Sequence, residues 1–396
     1  MKLNTSVLDG LRFLLALWVV CGHFYIIIGG TNFFNIPFVS SLLQQPIIAV
    51  NGFMIITGFL MTYHYILREE REPFQYVSTG VKFILRRFFR LYPIYFLAII
   101  AAFFLVENMY LLRKEILEFF TGSSITVFGN ESKLETPTLV GMFSHLLFIH
   151  GLIPHEDSTI LSVAWSLSLE MQFYVIFPII FAVLFRKQAS LRFSVITVIS
   201  VVVSVLSLNY LKSYFDMPAA LFFRMPVFIL GMMVAAAALK KLRWRFVALN
   251  GCIILAVEDR LTIILSIGLI FLMFYENLKL ALPRSIYSII SLIGGLLSNK
   301  VSKFGADISY SLYLMHMIIM PFIIKFFIDL NYSKLLTAGL SFVSLLVITI
   351  TLSYVLYLYI EKPFIAMGKR VVATLPRPTR TQVEISTDFS GSEAIK

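Results

Sequence analysis

Charged residues are scarce in this chain: Asp, Glu, Lys and Arg make up 14% of its 396 residues, whereas a soluble globular domain carries about 25%. Hydrophobic residues make up 59%, and the mean hydropathy is +0.86. This composition excludes an ordinary soluble protein. It indicates an integral membrane protein whose first partner is the lipid bilayer.

Potential metal ligands are also few. The two cysteines, Cys21 and Cys252, each lie inside an apolar segment and have neither metal-site nor disulfide spacing. His145, His150 and His155 are five residues apart, and a helix would point them in different directions. We therefore expect no metal. The net charge is +11, but its basic residues form short clusters between apolar runs, which is typical of membrane topology and not of nucleic-acid binding.

Eleven apolar runs are candidate membrane-spanning helices. Clusters of Lys and Arg favour a cytoplasmic N-terminus, and those after Gly368 favour a cytoplasmic C-terminus. The number of crossings must then be even, so one run between 246 and 298 is discounted. We expect an all-α polytopic membrane protein, a bundle of about ten transmembrane helices. The runs cover residues 8–28, 46–66, 91–106, 163–185, 194–211, 219–239, 246–257, 261–278, 285–298, 308–328 and 335–360.

A single transmembrane domain, residues 1–367, accounts for nearly the whole chain, with no internal repeat and no separate soluble domain. Residues 368–396 are expected to form a cytoplasmic tail, and the Pro, Ser and Thr content of 376–396 predicts disorder there. The first apolar run carries polar residues and has no small-residue cleavage site. We therefore expect that run to be retained as a helix and not removed as a signal peptide.

Two ionisable residues are embedded in the first apolar run. Arg12 and His23 are eleven residues apart. At about 100° and about 1.5 Å per residue, they lie on one helix face and are separated by roughly 16 Å along the axis. Charge on a membrane helix is costly, and it marks a functional site that faces a cavity or the bundle interior.

Three arginines stand at the start of the third apolar run. Arg86 and Arg90 are four residues apart, and Arg87 and Arg90 are three apart, so these pairs share a helix face. Guanidinium groups can bind phosphate through paired hydrogen bonds. The alternative is an anchor on lipid head groups, which is common at the ends of membrane spans.

Further polar residues occur in two later spans. Glu170 enters the 163–185 run, where it serves either as a partner of an arginine or as a general base or orienter of His23. Tyr313 and His316 are compatible with one face of a later helix, and a lone histidine there is either a packing residue or a functional one. Glu361 precedes Lys-Pro and is interpreted as part of a helix stop with a structural ion pair.

These residues fall in motifs through which the chain resembles the membrane-bound acyltransferase 3 family, O-acyltransferases that modify bacterial surface glycans. The resemblance covers about 7–364, and six motifs occur in the family's order. Thr57 stands where the family usually has serine, and Met171 is a mild departure. The motifs are Arg12 with His23, Gly52-Phe53 with Gly58-Phe59-Leu60, Arg86-Arg87 with Arg90 and Pro93, Trp165-Ser166-Leu167-Ser168-Leu169-Glu170, Tyr310 to His316, and Glu361-Lys362-Pro363.

The resemblance implies transfer of an acyl group, usually acetyl, from cytoplasmic acetyl-coenzyme A as the donor substrate. The acceptor would be a hydroxyl of a lipid-linked oligosaccharide or exopolysaccharide at the outer face of the plasma (inner) membrane. By position, His23 is catalytic, as general base or acyl carrier, and Glu170 or Asp9 would orient it or stabilise the imidazolium. The remaining expected site residues are Arg12, Arg86, Arg87 and Arg90 for the coenzyme A phosphates, and Trp165, Ser166, Ser168, Tyr313 and His316 for substrate or support.

Two other functions compete with this interpretation. A polytopic bundle with buried charges is also typical of a transporter that exports a small molecule or a glycan, and release of thiol from acetyl-coenzyme A would distinguish the two. A family member without catalysis, acting as a sensor or assembly partner, is the third possibility. The intact pair of Arg12 and His23 argues against it.

Overall fold

The computed structural model describes residues 5–32, 36–74, 76–122, 138–185, 188–279 and 282–376. Within these ranges the chain is built from helices and contains no β-strand, which confirms the all-α polytopic fold. The α-helices are α1 Val7–Ile27, α2 Pro37–Leu43, α3 Pro46–Arg68, α4 Val77–Thr121, α5 Leu139–Leu146, α6 Trp165–Leu184, α7 Ala189–Tyr210, α8 Leu221–Ala238, α9 Trp244–Leu255, α10 Arg260–Met273, α11 Arg284–Leu297, α12 Lys300–Asp329, α13 Lys334–Leu356 and α14 Lys362–Thr374.

Eight helical segments of the described chain are long and apolar enough to cross a bilayer. Three shorter apolar helices, α9, α10 and α11, occupy the region from which the sequence analysis discounted one run. Helices α9 and α10 form an antiparallel hairpin. A four-residue connection joins them, and Trp244 at the start of α9 packs against Phe274 just after α10. Ten crossings would require this hairpin to supply two, although neither helix reaches the length of the eight long segments.

Helix ends follow the local sequence. The side chains of Thr138, Asp259, Asn299 and Ser333 accept hydrogen bonds from the backbone N–H groups of the first turns of α5, α10, α12 and α13. These residues supply partners for donors that the helix itself leaves unpaired. Gly122 ends the long helix α4 in the left-handed conformation, with φ of 73°, which costs glycine little.

The C-terminal boundary differs from the expectation. The chain does not stop at Glu361: a π-helical turn, Tyr357–Glu361, leads directly into α14, which extends to Thr374. Proline at the start of α14 is tolerated, because the N–H that it lacks has no partner in a first turn. Gly368, where the tail was expected to begin, instead packs against Phe89 of α4. Residues 377–396 of the expected tail lie outside the described residues.

Helices α3 and α8 pack with their backbones in contact. A Cβ atom added to Gly58 would lie 2.2 Å from the carbonyl oxygen of Phe228, and one added to Gly231 would lie 2.1 Å from that of Ile55. Small residues allow this close approach between membrane helices. The contact fixes α3 at the centre of the bundle, between α1 and α8.

The Gly231→Ala variant is expected to lower the thermal melting temperature of the purified protein in detergent. The added methyl group must displace the α3 backbone, and overpacking of this kind costs about 1–3 kcal/mol. Gly339→Ala in α13 is the matched control, because its Cβ meets nothing within 4 Å. Equal melting temperatures for the two variants would contradict the backbone contact between α3 and α8.

Candidate active site

Helix α1 carries both Arg12 and His23, as the sequence predicts. Arg12 lines an open pocket, and the empty space inside it, counted together with its open mouth, is about 860 Å³. Helices α1, α3, α4, α6 and α12 contribute most of the wall. The polar residues that line the pocket are Arg12, Thr57, Arg87, Arg90, Ser166, Glu170, Tyr174, Ser309, Tyr310 and Tyr313.

The charge of the pocket wall is predominantly positive. Three guanidinium groups, those of Arg12, Arg87 and Arg90, face one carboxylate, that of Glu170. Arg87 lies over aromatic faces, with its guanidinium carbon 5.7 Å from the ring centre of Tyr174. Stacked guanidinium groups of this kind keep their planar forks oriented.

Glu170 is held by two hydroxyl groups. Tyr174, one helical turn along α6, donates to Oε1, and the Thr57 hydroxyl donates to the same oxygen over 3.2 Å. Arg12 and Arg87 are electrostatic neighbours of this carboxylate. The structure therefore places Glu170 as a partner of the arginines. Thr57 and Tyr174 were not predicted as site residues, although the spacing of four between Glu170 and Tyr174 is that of neighbours on one helix face.

The partner of His23 is a second histidine. His23 Nδ1 lies 2.9 Å from Nε2 of His316 in α12, and the two rings stack with centres 5.2 Å apart. His316 is fully buried, and its Nδ1 lies 3.1 Å from the carbonyl oxygen of Leu312.

These two contacts determine which ring nitrogens carry protons when both rings are neutral. A carbonyl oxygen only accepts, so Nδ1 of His316 carries a proton and its Nε2 is an acceptor. His23 must then donate from Nδ1, and its Nε2 keeps a free lone pair. A histidine oriented in this way is suited to act as a general base or a nucleophile.

The prediction that Glu170 or Asp9 orients His23 is therefore wrong. Asp9 lies in the first turn of α1, and a separation of fourteen residues from His23 amounts to about 21 Å along a helix. Its electrostatic neighbours include Arg12, Asp307 and Lys303, and it does not line the pocket. The carboxylate of Glu170 is bound at the pocket arginines, while His23 lies about three turns further along α1.

Arg86 does not join the other arginines, which corrects a second prediction. One of its terminal nitrogens donates to the hydroxyl of Tyr65 and to the carboxylate of Glu72, each over 2.8 Å, and the other donates to the second oxygen of Glu72. Adjacent helical residues point about 100° apart, so Arg86 faces away from the pocket that Arg87 lines. Burial alone raises the pKa of Glu72, but the hydrogen bond and charge of Arg86 outweigh it and leave that pKa below its usual value.

Tyr313 lies between the pocket and the histidine pair. It lines the pocket, and its ring centre is 6.2 Å from that of His316. Its hydroxyl is 2.7 Å from Oγ of Ser166 and donates to the carbonyl oxygen of Val163 over 3.2 Å. Tyr313 and Ser166 therefore form the part of the wall nearest to His316.

Two expected supporting residues lie away from the pocket. Trp165 is buried at the start of α6 and does not line it. Ser168 donates to the carbonyl oxygen of Phe148 over 2.6 Å and accepts from the N–H of Gly151, so it ties α6 to the segment that follows α5. Both residues therefore support the position of α6.

Two loop histidines lie closer together than the sequence analysis expected. His145 lies in the last turn of α5 and His150 begins a short 3₁₀ turn, so their rings stack with centres 3.9 Å apart instead of diverging. Parallel stacked rings do not direct their lone pairs at one point. Among the described residues, no group of three or more His, Cys, Asp or Glu side chains could hold a metal ion.

Comparison with known proteins gives one family. A family model described as an acyltransferase domain, that of the acyltransferase 3 family, matches residues 6–358. The chain therefore belongs to this family, as the motifs indicate, and it is an acyl-transferring enzyme of the membrane type. Comparisons with curated proteins and with solved structures gave no match.

Arg86 and Glu72 are expected to stabilise the protein as a pair. Single variants Arg86→Gln and Glu72→Gln should each lower stability, and the double variant should cost less than their sum, with a coupling of about 0.5–1 kcal/mol for this partly exposed pair. Because the pKa of Glu72 is lowered on folding, the stabilisation is present above the ordinary glutamate pKa and is lost as pH falls through the folded-state pKa. Melting curves against pH measure both effects, and strict additivity at neutral pH would contradict the pairing.

Proposed function

We propose that this enzyme transfers an acetyl group from acetyl-coenzyme A, bound from the cytoplasmic side, to a hydroxyl group of a glycan at the outer side of the membrane. The observation that carries the proposal is the charge of the pocket, with three guanidinium groups and one carboxylate in its wall. A partly buried excess of positive charge calls for an anionic ligand, because unpaired buried charge is costly.

Phosphate groups fit this wall. Arg12 approaches from α1, while Arg87 and Arg90 lie on one face of α4, so their planar forks can grip several oxygens at once. Behind this wall, Glu361 is buried, accepts a hydrogen bond from Ser311, and has Arg12 and Arg90 as electrostatic neighbours. It lies close enough to those side chains to interact with their charge, and it does not line the pocket.

The length of the donor matches the separation of Arg12 and His23 along α1. Arg12 and His23 are separated by roughly 16 Å along the helix, and Tyr313 links the pocket wall to the histidine pair. A donor with phosphates at one end and a thioester at the end of a flexible arm can contact both places at once. Acetyl-coenzyme A has this form, and the family supports acyl transfer.

His23 can supply the proton transfer that the reaction needs. Its free Nε2 accepts the proton of the acceptor hydroxyl while that oxygen attacks the thioester carbon. The new C–O bond forms, the C–S bond breaks, and the proton passes to the leaving thiol. His316 accepts the hydrogen bond from Nδ1 throughout and fixes the ring, the role of the third group in a catalytic triad.

The sidedness rests on the distribution of charge. Basic residues cluster where α4 begins and in the turn before α9, which favours a cytoplasmic location for these ends and for both termini. The arginine pocket would then open towards the cytoplasm, where acetyl-coenzyme A is available. The glycan as acceptor follows from the family resemblance.

His23→Ala is expected to abolish transfer of labelled acetyl from acetyl-coenzyme A into the glycan fraction of membranes that carry this protein. Donor affinity should stay within a few fold of wild type, because His23 lies about three helical turns from the arginines. His155→Ala, in the loop before α6, is the matched control. Normal transfer by His23→Ala would exclude this mechanism, and wild-type membranes that release no thiol from acetyl-coenzyme A would favour a transporter.

Arg87→Gln is expected to weaken binding of acetyl-coenzyme A about 10- to 100-fold, because a hydrogen bond to a charged group contributes about 1.5–3 kcal/mol. Arg90→Lys should also weaken it, since a point charge replaces a planar fork. Calorimetric titration of the purified protein with coenzyme A measures the effect. Arg86→Gln removes the adjacent arginine and should leave the affinity unchanged, so equal losses in Arg86→Gln and Arg87→Gln would contradict the assignment.

A further inference from the structure

A fourth arginine of α4 lies on the side of this helix that faces His23 and His316. Arg113 is three residues before Ile116 and seven before Phe120, so the three side chains share one face of α4. Ile116 and Phe120 are buried in one apolar cluster with residues of α1 and α12 that flank the two histidines in sequence. Those flanking residues are Val20 and Phe24 in α1, and Leu312 and Met320 in α12.

The charge of Arg113 acts on both imidazole rings. Arg113 is an electrostatic neighbour of His23 and also of His316. It does not line the pocket of Arg12, Arg87 and Arg90, and twenty-three residues separate it from Arg90, which is about 34 Å along the helix. The two cationic regions are therefore separate, and Arg113 has no part in the proposed phosphate contacts.

A cation beside two imidazoles does not help either ring to hold a proton. It does favour negative charge that develops nearby, and this effect is strong where apolar side chains exclude water. Ile116 and Phe120 provide such surroundings on the same helix face, with 0% and 2% of their surfaces exposed. The position of Arg113 thus suits a reaction in which an oxygen close to His23 becomes negatively charged.

We propose that Arg113 stabilises the oxyanion formed when the acceptor attacks the thioester, an inference that rests on the proposed acyl transfer. Attack by the hydroxyl oxygen forms the C–O bond, moves an electron pair of the carbonyl onto its oxygen, and gives the hydroxyl proton to His23. Arg113 donates hydrogen bonds to this oxygen. When the carbonyl re-forms, the C–S bond breaks and the sulfur takes the proton from His23, which gives the free thiol and the ester.

The experiment compares wild type, Arg113→Gln, Arg113→Lys, His23→Ala and Lys114→Gln in one assay of acetyl transfer, with purified protein of verified monodispersity. Arg113→Gln is expected to lower kcat by about 10²–10³, the usual loss when one oxyanion donor is removed, while the calorimetric Kd for coenzyme A stays within about twofold. Arg113→Lys keeps the charge but loses the fork, and it should retain part of the lost rate. Lys114→Gln removes the neighbouring charge from an exposed position and should match wild type.

The outcomes separate this proposal from the proposed function. If wild type transfers acetyl, His23→Ala does not, and Arg113→Gln keeps the wild-type kcat, the role of Arg113 is overturned and the acyl transfer stands. If Arg113→Gln raises the Kd for coenzyme A by tenfold or more with an unchanged kcat, Arg113 is a donor-binding residue and the proposal is also overturned. If wild type transfers no acetyl, both proposals fail. If Arg113→Gln does not fold, the test uses Arg113→Lys. A kcat of Arg113→Lys equal to that of wild type would then overturn the proposal.

Discussion

Holding three guanidinium groups inside an apolar helix bundle is the constraint on which the rest of this structure depends. Moving a charge away from water costs several kcal/mol unless partners replace the water. Here the partners are Glu170 and Tyr174 from α6 and Glu361 from the π-helical turn after α13, and Thr57 from α3 holds Glu170 in place. The arginines thus require these three segments to meet at one place, and a pocket with a positive wall remains between them.

Helix α1 connects this charged pocket with the histidine pair. Because one continuous helix carries Arg12 and His23, the distance between the proposed phosphate site and the proposed reaction site is set by helical geometry and not by a loop. Helix α12 has the complementary role, since Tyr313 lines the pocket and His316 binds His23 on the same helix. The proposed chemistry therefore depends on the packing of α1 against α12, where Gly305 lies directly against the ring of Phe13.

The periodic features of the site could be predicted from the sequence. The shared face of Arg12 and His23 and the pairing of Arg87 with Arg90 follow from helical spacing alone. Arg86 could not be separated from Arg87 in this way, because spacings of three and four are both those of neighbours, and only the fold shows that Glu72 and Tyr65 bind Arg86.

Contacts between distant segments could not be predicted. His23 and His316 are 293 residues apart, and nothing in either helix specifies the other, so the nearer carboxylates Glu170 and Asp9 were assigned as partners. Arg113 was not predicted as a site residue because it lies beyond the apolar run at 91–106. Its neighbours Lys114 and Glu115 make this part of the sequence resemble a solvated helix face. The all-α fold was predicted correctly because composition and run length determine it. Run length could not decide which of the short helices α9 to α11 cross the membrane, since none of the three reaches the length of a typical span.

The most direct test of the account is the sidedness of transfer in sealed proteoliposomes with a defined orientation of the protein. Acetyl-coenzyme A labelled in the acetyl group is supplied on one side, and a glycan acceptor on the other. The account predicts labelled glycan only when the donor is on the side where α4 begins and the acceptor is on the opposite side, with coenzyme A released where it was supplied. Transfer that proceeds only when donor and acceptor share one side would contradict the proposed path through the arginine pocket to His23.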